Sequence, residues 1–150
     1  MKSEELNLSD AISHLLDECR MVLPGIQALF GFQMVAVFDG EFKKLTHPEQ
    51  ELHSVAIVLV VFAIAILMAP ASLHRQVEPR SASERFLNVA SHLMLAAMVP
   101  LAMSISIDVY VVTQVIYQNP AIAAAMTAAA LIAFITLWFL YPRVYRRGGK

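Results

Sequence analysis

The chain contains one cysteine, Cys19, so no internal disulfide can form and no paired-cysteine motif is present. Glycine is scarce, with five residues in 150, which leaves little room for a loop that cradles phosphate. No nucleotide-binding loop and no nucleophile elbow occurs. The histidines His14, His47, His53, His74 and His92 are never four residues apart, so no helix face carries the usual metal-ligand pair. Charged residues make up 15% of the chain, against about a quarter in a soluble domain. The start, Met1-Lys2-Ser3-Glu4-Glu5, is acidic where a secretory signal is basic, and no apolar stretch follows before Met21. The N-terminus is therefore expected to be retained. These absences predict no enzyme, no cofactor, no metal and no nucleic-acid partner.

What the chain has in quantity is apolar sequence. It is 58% hydrophobic, with a mean hydropathy of +0.61. Runs 21–38, 55–71 and 120–141 carry no charged residue, and 86–107 carries only the titratable His92. With their polar flanks, these runs approach or meet the roughly 20 residues that a helix needs to cross a hydrocarbon core. Backbone in lipid must satisfy its own hydrogen bonds, so such runs are helices. The predicted fold is an all-α membrane protein forming one domain. It is a four-transmembrane-helix antiparallel bundle with helices at about 8–38, 48–73, 82–117 and 120–141. The bilayer is its first partner, and a homo-oligomer or a larger membrane complex its second.

Helix signals support these bounds. Asn7 with Asp10 suits a start near Leu8; Thr46 with Glu49 and Ser81 with Glu84 have capping-box spacing; Asn119-Pro120 opens the last helix. Asp39-Gly40 is expected to end the first helix and Pro142 the fourth. Short connections make neighbouring helices antiparallel. Leu8, Ala11, Ile12, Leu15, Leu16 and Cys19 recur at helical spacing opposite Asp10, His14 and Asp17, the pattern of an amphipathic segment at the membrane surface. Pro24-Gly25 is expected to bend this segment into the bilayer, and Pro100 to kink the third helix. Nine lysines and arginines fall on the side holding both termini and the middle connection, and only Lys43 and Lys44 on the other. That bias predicts cytoplasmic N- and C-termini in an inner membrane. Phe38, Phe42, Tyr110 and Tyr117 then fall toward the outer interface, and Trp138, Tyr141 and Tyr145 toward the inner one.

Asp108 is the most informative residue. It lies about nine residues before the end of the third helix, roughly 13 Å along its axis. A carboxylate within the bilayer costs about 3 kcal/mol or more, so it must be paired, protonated or wetted. Pro100, Ser104 and Asp108 share one helix face, and Gln33 and His53 are partners by depth. Asp108, Ser104, Gln33 and His53 form a candidate proton or cation site; the alternative is a buried structural hydrogen bond or a carboxylate at the interface. A second group is Asp17, Glu18, Arg20 and Gln27 with His74 and Arg75. Asp17, Arg20, Pro24, Gln27 and Gly31 form a stripe whose charge fades into the membrane, as the lining of an inner vestibule would. The alternative is interfacial charge, with Asp17–Arg20 an ordinary pair three residues apart and His74-Arg75 reaching toward headgroups. Arg20 keeps its charge and needs acceptors, which Asp17, Glu18 or Glu78 can supply. Ala121, Ala125, Ala129 and Ala133 recur every four residues, a pattern that lets helices approach closely. The tail arginines Arg143, Arg146 and Arg147 suit anionic lipid.

Leu15-Leu16-Asp17-Glu18-Cys19-Arg20, continued by Gly25-Ile26-Gln27-Ala28-Leu29-Phe30-Gly31-Phe32, resembles the opening of a bacterial family of small four-helix inner-membrane proteins, catalogued as a domain of unknown function. Met68-Ala69-Pro70-Ala71-Ser72-Leu73-His74-Arg75 resembles the same family. The resemblance runs from about residue 13 to 75 and fades beyond. It implies four helices and an inner-membrane location, and some members carry a sodium:proton antiporter label. Asp108 lies outside these motifs. Two functions remain in view: proton or small-cation transport or conduction by an oligomer, and a non-catalytic accessory or scaffolding role in a larger membrane complex.

Overall fold

The computed structural model describes residues 2–77 and 83–148, with side chains for 8–76 and 83–146. Helix α1 spans Lys2–Ala36, a short 3-10 turn Phe42–Lys44, α2 His47–Val77, α3 Glu84–Tyr117 and α4 Pro120–Phe134. A π-helical stretch, Ile135–Leu140, joins α4 to α5, Tyr141–Gly148. Four stretches are long and apolar enough to cross a membrane: Leu8–Ala36, His47–Gln76, Glu84–Tyr117 and Pro120–Arg146. No strand occurs among the described residues. The molecule is an all-α four-helix bundle.

Polar side chains set several helix ends. Glu49 accepts from the Thr46 backbone N–H at 2.8 Å, one half of a capping box. Asn119 accepts from the N–H groups of Ala121 and Ile122, with Pro120 in the first turn where its missing N–H costs nothing. Gln118 closes α3 in the left-handed region at φ 49°, and its N–H reaches the Gln114 carbonyl at 2.9 Å.

Five expected boundaries are corrected. The first helix begins at Lys2, with Asn7 and Asp10 inside it, and it ends at Ala36, before Asp39-Gly40. The cap of α3 is Ser83, whose hydroxyl accepts from the Phe86 N–H at 3.1 Å; Ser81, the expected cap, lies outside the described residues. Helix α2 runs on to Val77. Pro142 does not stop the last helix. It follows the π turn, in which the Tyr141 N–H reaches back five residues to the Thr136 carbonyl, and that wider turn makes room for a ring that an α turn excludes.

The amphipathic segment is continuous with the first span, and α1 passes through Pro24 as one helix. Its apolar positions Ile12, Leu15 and Cys19 are buried with Leu67, Phe86 and Ala90 at one end of the bundle. Gln33, His53 and Asp108 meet at the other end. The last turns of α1 and α3 thus lie beside the first turns of α2, which makes α2 antiparallel to both. Pro70 and Pro100 lie inside α2 and α3. Helix α4 packs on α3 through Ala123, which is fully buried. Within an apolar 18-residue stretch of each span, 6% of residues are buried in the last against 33% in the third.

Candidate functional site

Gln33 is three residues from the end of α1, His53 six from the start of α2, and Asp108 nine from the end of α3. At 1.5 Å per residue, α3 therefore overshoots α1 by roughly 9 Å. This stagger brings an aspartate from well within α3 level with the last turn of α1.

The Gln33 amide nitrogen donates to Asp108 Oδ2 at 2.6 Å and to Ser104 Oγ at 2.9 Å. Ser104 in turn donates to the backbone carbonyl of Ala56 at 2.8 Å. Across the site, His53 Nε2 lies 3.0 Å from the backbone carbonyl of Gln33. A carbonyl only accepts, so Nε2 carries the hydrogen. His53 Nδ1 faces Asp108 Oδ1 at 3.3 Å, within ion-pair reach. Oδ1 is buried with no donor, and so is Gln33 Oε1. The amide orientation follows from its partners, because the reverse orientation would set an oxygen against the carboxylate.

A cavity of about 390 Å³ opens beside this cluster. Its walls are Leu29, Phe32, Val111, Val112, Val115 and Ile116, and Gln33, His53 and Asp108 line it too. Asp39, Glu41, Phe42 and Leu45 close its end. Phe42 presents its ring edge-on to His53, with centroids 5.2 Å apart. Gln50 holds this connection down by donating to the carbonyls of Leu45, at 3.1 Å, and Phe42, at 3.4 Å. Glu41 is ion-paired with Lys44.

The four-residue cluster expected from sequence is thus one connected network. Sequence reasoning missed Gln50, Asp39 and Glu41 around it, and the backbone acceptors of Gln33 and Ala56. The turn residues Asp39-Gly40 and the Thr46–Glu49 cap mark the 39–47 connection without showing where it folds, and backbone carbonyls leave no signal.

Residues 3–142 match a family of unknown function, DUF6328. The chain belongs to this family. No curated protein and no solved structure matches it. The DUF6328 match reaches into all four spans, where the motifs alone suggested only residues 13–75. The Asp108 network therefore lies wholly inside the family region.

The second expected group does not assemble as a vestibule. Asp17, Glu18, Arg20, Pro24, Gln27 and Gly31 are all exposed. The pair Arg20–Asp17 is a contact of 3.3 Å between side chains 81% and 60% exposed. Glu78, the other acceptor considered, lies outside the described residues. Arg20 does share a groove of about 480 Å³ with His74 and Arg75, lined by Leu16, Leu23, Leu67 and Met68. His92 Nδ1 pairs with the Asn88 backbone carbonyl at 2.7 Å, a local contact on an exposed turn. Ala121, Ala125, Ala129 and Ala133 are exposed, while Ala123 and Thr127 face the bundle. The alanine stripe therefore lies off the buried face of α4.

Proposed function

We propose that this chain is a multi-pass protein of a bacterial inner membrane, both termini cytoplasmic, that binds a proton or small cation at the Asp108–His53 pair and moves it as an oligomer. The contact of His53 Nδ1 with Asp108 Oδ1 carries this reading. With the hydrogen on Nε2, the Nδ1 atom offers the carboxylate either a second hydrogen or a lone pair. A lone pair against a carboxylate repels. The contact therefore calls for a proton, on the imidazole or on the carboxyl, or for a cation beside it. Loss of that proton without replacement leaves a half-buried carboxylate uncompensated, which is costly in a membrane. Exchange of a cation for the proton follows from this balance.

Beyond Ser104 the buried core is Val60, Ala63, Leu67, Ala90 and Ala97. An ion cannot follow that core, so a route across the membrane needs a second protomer. The same closed core and the outward alanine stripe favour the second reading, an accessory subunit packed into a larger complex.

The test is flux in proteoliposomes. Asp108→Asn keeps the shape of the side chain and removes its titration. A proton- or sodium-gradient-driven flux in the wild type is expected to vanish in this variant, with folding retained. Wild-type protein that moves no proton, sodium or potassium under any gradient makes the accessory reading the better one. Flux that survives Asp108→Asn makes the residue structural.

A further inference from the structure

We propose that the cavity beside Asp108 binds an ammonium group carried on an apolar body. The inference rests on the reading of Asp108 as a cation site, and it names the ligand class. The cavity, about 390 Å³, falls within the range of pockets that take one small organic molecule. Its wall is apolar, from Leu29 and Phe32 on α1 to Val111, Val115 and Ile116 on α3. Its polar end carries a carboxylate. A hydrated alkali ion gains nothing from five such side chains, whereas a hydrocarbon body gains van der Waals contact with them.

The head group is set by two acceptors that lack a hydrogen-bond donor, one of which, Asp108 Oδ1, lies 3.3 Å from His53 Nδ1. Asp108 Oδ1 and Gln33 Oε1 are buried acceptors without a donor, and Gln33 is only 3% exposed. Buried acceptors left unmade are costly. A ligand that satisfies them brings N–H or O–H donors, and one that compensates the carboxylate brings positive charge. A protonated amine supplies both. Among the described residues no group of three or more acidic, histidine or cysteine side chains is arranged to hold a metal ion. The Phe42 ring lines the end of the cavity, and the face of such a ring attracts a cation. Asp39 and Glu41 line this end too and add negative potential, part of which Lys44 offsets through its pair with Glu41.

Two sources offer this chemistry: a free lipophilic amine, and the ethanolamine headgroup of a phospholipid. The probe is 2-phenylethylammonium, titrated by equilibrium dialysis into the full chain in phosphatidylcholine nanodiscs, whose headgroups have no N–H. Saturable binding is expected, with 2-phenylethanol, the neutral isostere, failing to compete. Asp108→Asn is expected to weaken binding at least about 10-fold, as loss of a charged hydrogen bond does. Val112→Trp, which fills the cavity and leaves the carboxylate intact, is expected to weaken it as well. Repeating the titration in phosphatidylethanolamine nanodiscs separates the sources: a loss of apparent affinity identifies the headgroup, and an unchanged affinity the free amine. Saturable binding without ion flux supports this site and removes the transport reading. Proton or sodium flux that depends on Asp108, with no saturable binding of 2-phenylethylammonium, overturns the ammonium site and leaves the cation site standing. Equal binding of 2-phenylethanol also overturns it.

Discussion

Gln33→Leu removes the side chain that ties α1 to α3. Both amide hydrogens are used, one on the Asp108 carboxylate at 2.6 Å and one on Ser104 at 2.9 Å. A hydrogen bond to a charged group contributes about 1.5–3 kcal/mol and a neutral one about 1 kcal/mol. Bonds between membrane helices run lower, averaging about 0.6 kcal/mol, because the unfolded chain in a membrane also finds partners. Leucine recovers some packing at a site only 3% exposed. The expected net loss is about 2 kcal/mol, most of it from leaving the carboxylate without its donor. The same substitution in an Asp108→Leu background is expected to cost less than about 1 kcal/mol, because removing both partners of a buried hydrogen bond is nearly neutral. The measurement is reversible unfolding of all four proteins in bilayers or mixed micelles, arranged as a double-mutant cycle. Equal cost of Gln33→Leu in both backgrounds, to within about 0.5 kcal/mol, would refute the coupling and with it the network.

Other expectations follow from the remaining geometry. Arg20→Ala is expected to change stability by less than about 1 kcal/mol in the same unfolding assay, because its pair with Asp17 is largely exposed. Ala125→Leu is expected to leave the protomer folded, since Ala125 faces outward, and to shift the oligomer distribution in native-like membranes; an unchanged distribution removes the alanine stripe from any interface between protomers. Reporter fusions at Lys150 and in the 39–47 connection are expected to fall on opposite sides, with Lys150 inside, given the nine-to-two bias of basic residues. An external Lys150 defeats that assignment.

Much of the candidate site was legible before any coordinates. Asp108 stands as a lone formal charge in apolar sequence, and its cost in lipid demands partners at the same depth. Gln33 and His53 were the polar residues at that depth on two other helices, and Ser104 shared its face one turn away. Hydropathy and helical period alone are enough for that argument. The same reasoning misplaced the stripe of Asp17, Arg20 and Gln27. Periodicity says that residues share a face, and it does not say which way the face points. Polar residues near a membrane end are cheap on either side, so only packing settles the matter, and here Ile12, Leu15, Cys19 and Ile26 take the buried side of α1. The alanine stripe was ambiguous for the same reason, because Ala123 and Ala125 are chemically alike and only the docking on α3 separates them.

The sequence by itself determined the solvent and the number of spans, because both depend on summed hydropathy and on the need of backbone in lipid to bond to itself. The tertiary structure decided the rest. It set the stagger of α3 past α1, and so placed Asp108 against Gln33 and His53 near an open end of the bundle. It folded the 39–47 connection over that cluster through Gln50 and Phe42, and so made a cavity. It also chose backbone carbonyls, those of Gln33 and Ala56, as partners for His53 and Ser104. Every residue carries such a carbonyl, so its use leaves no mark in composition or pattern, and only the relative placement of whole helices can select it.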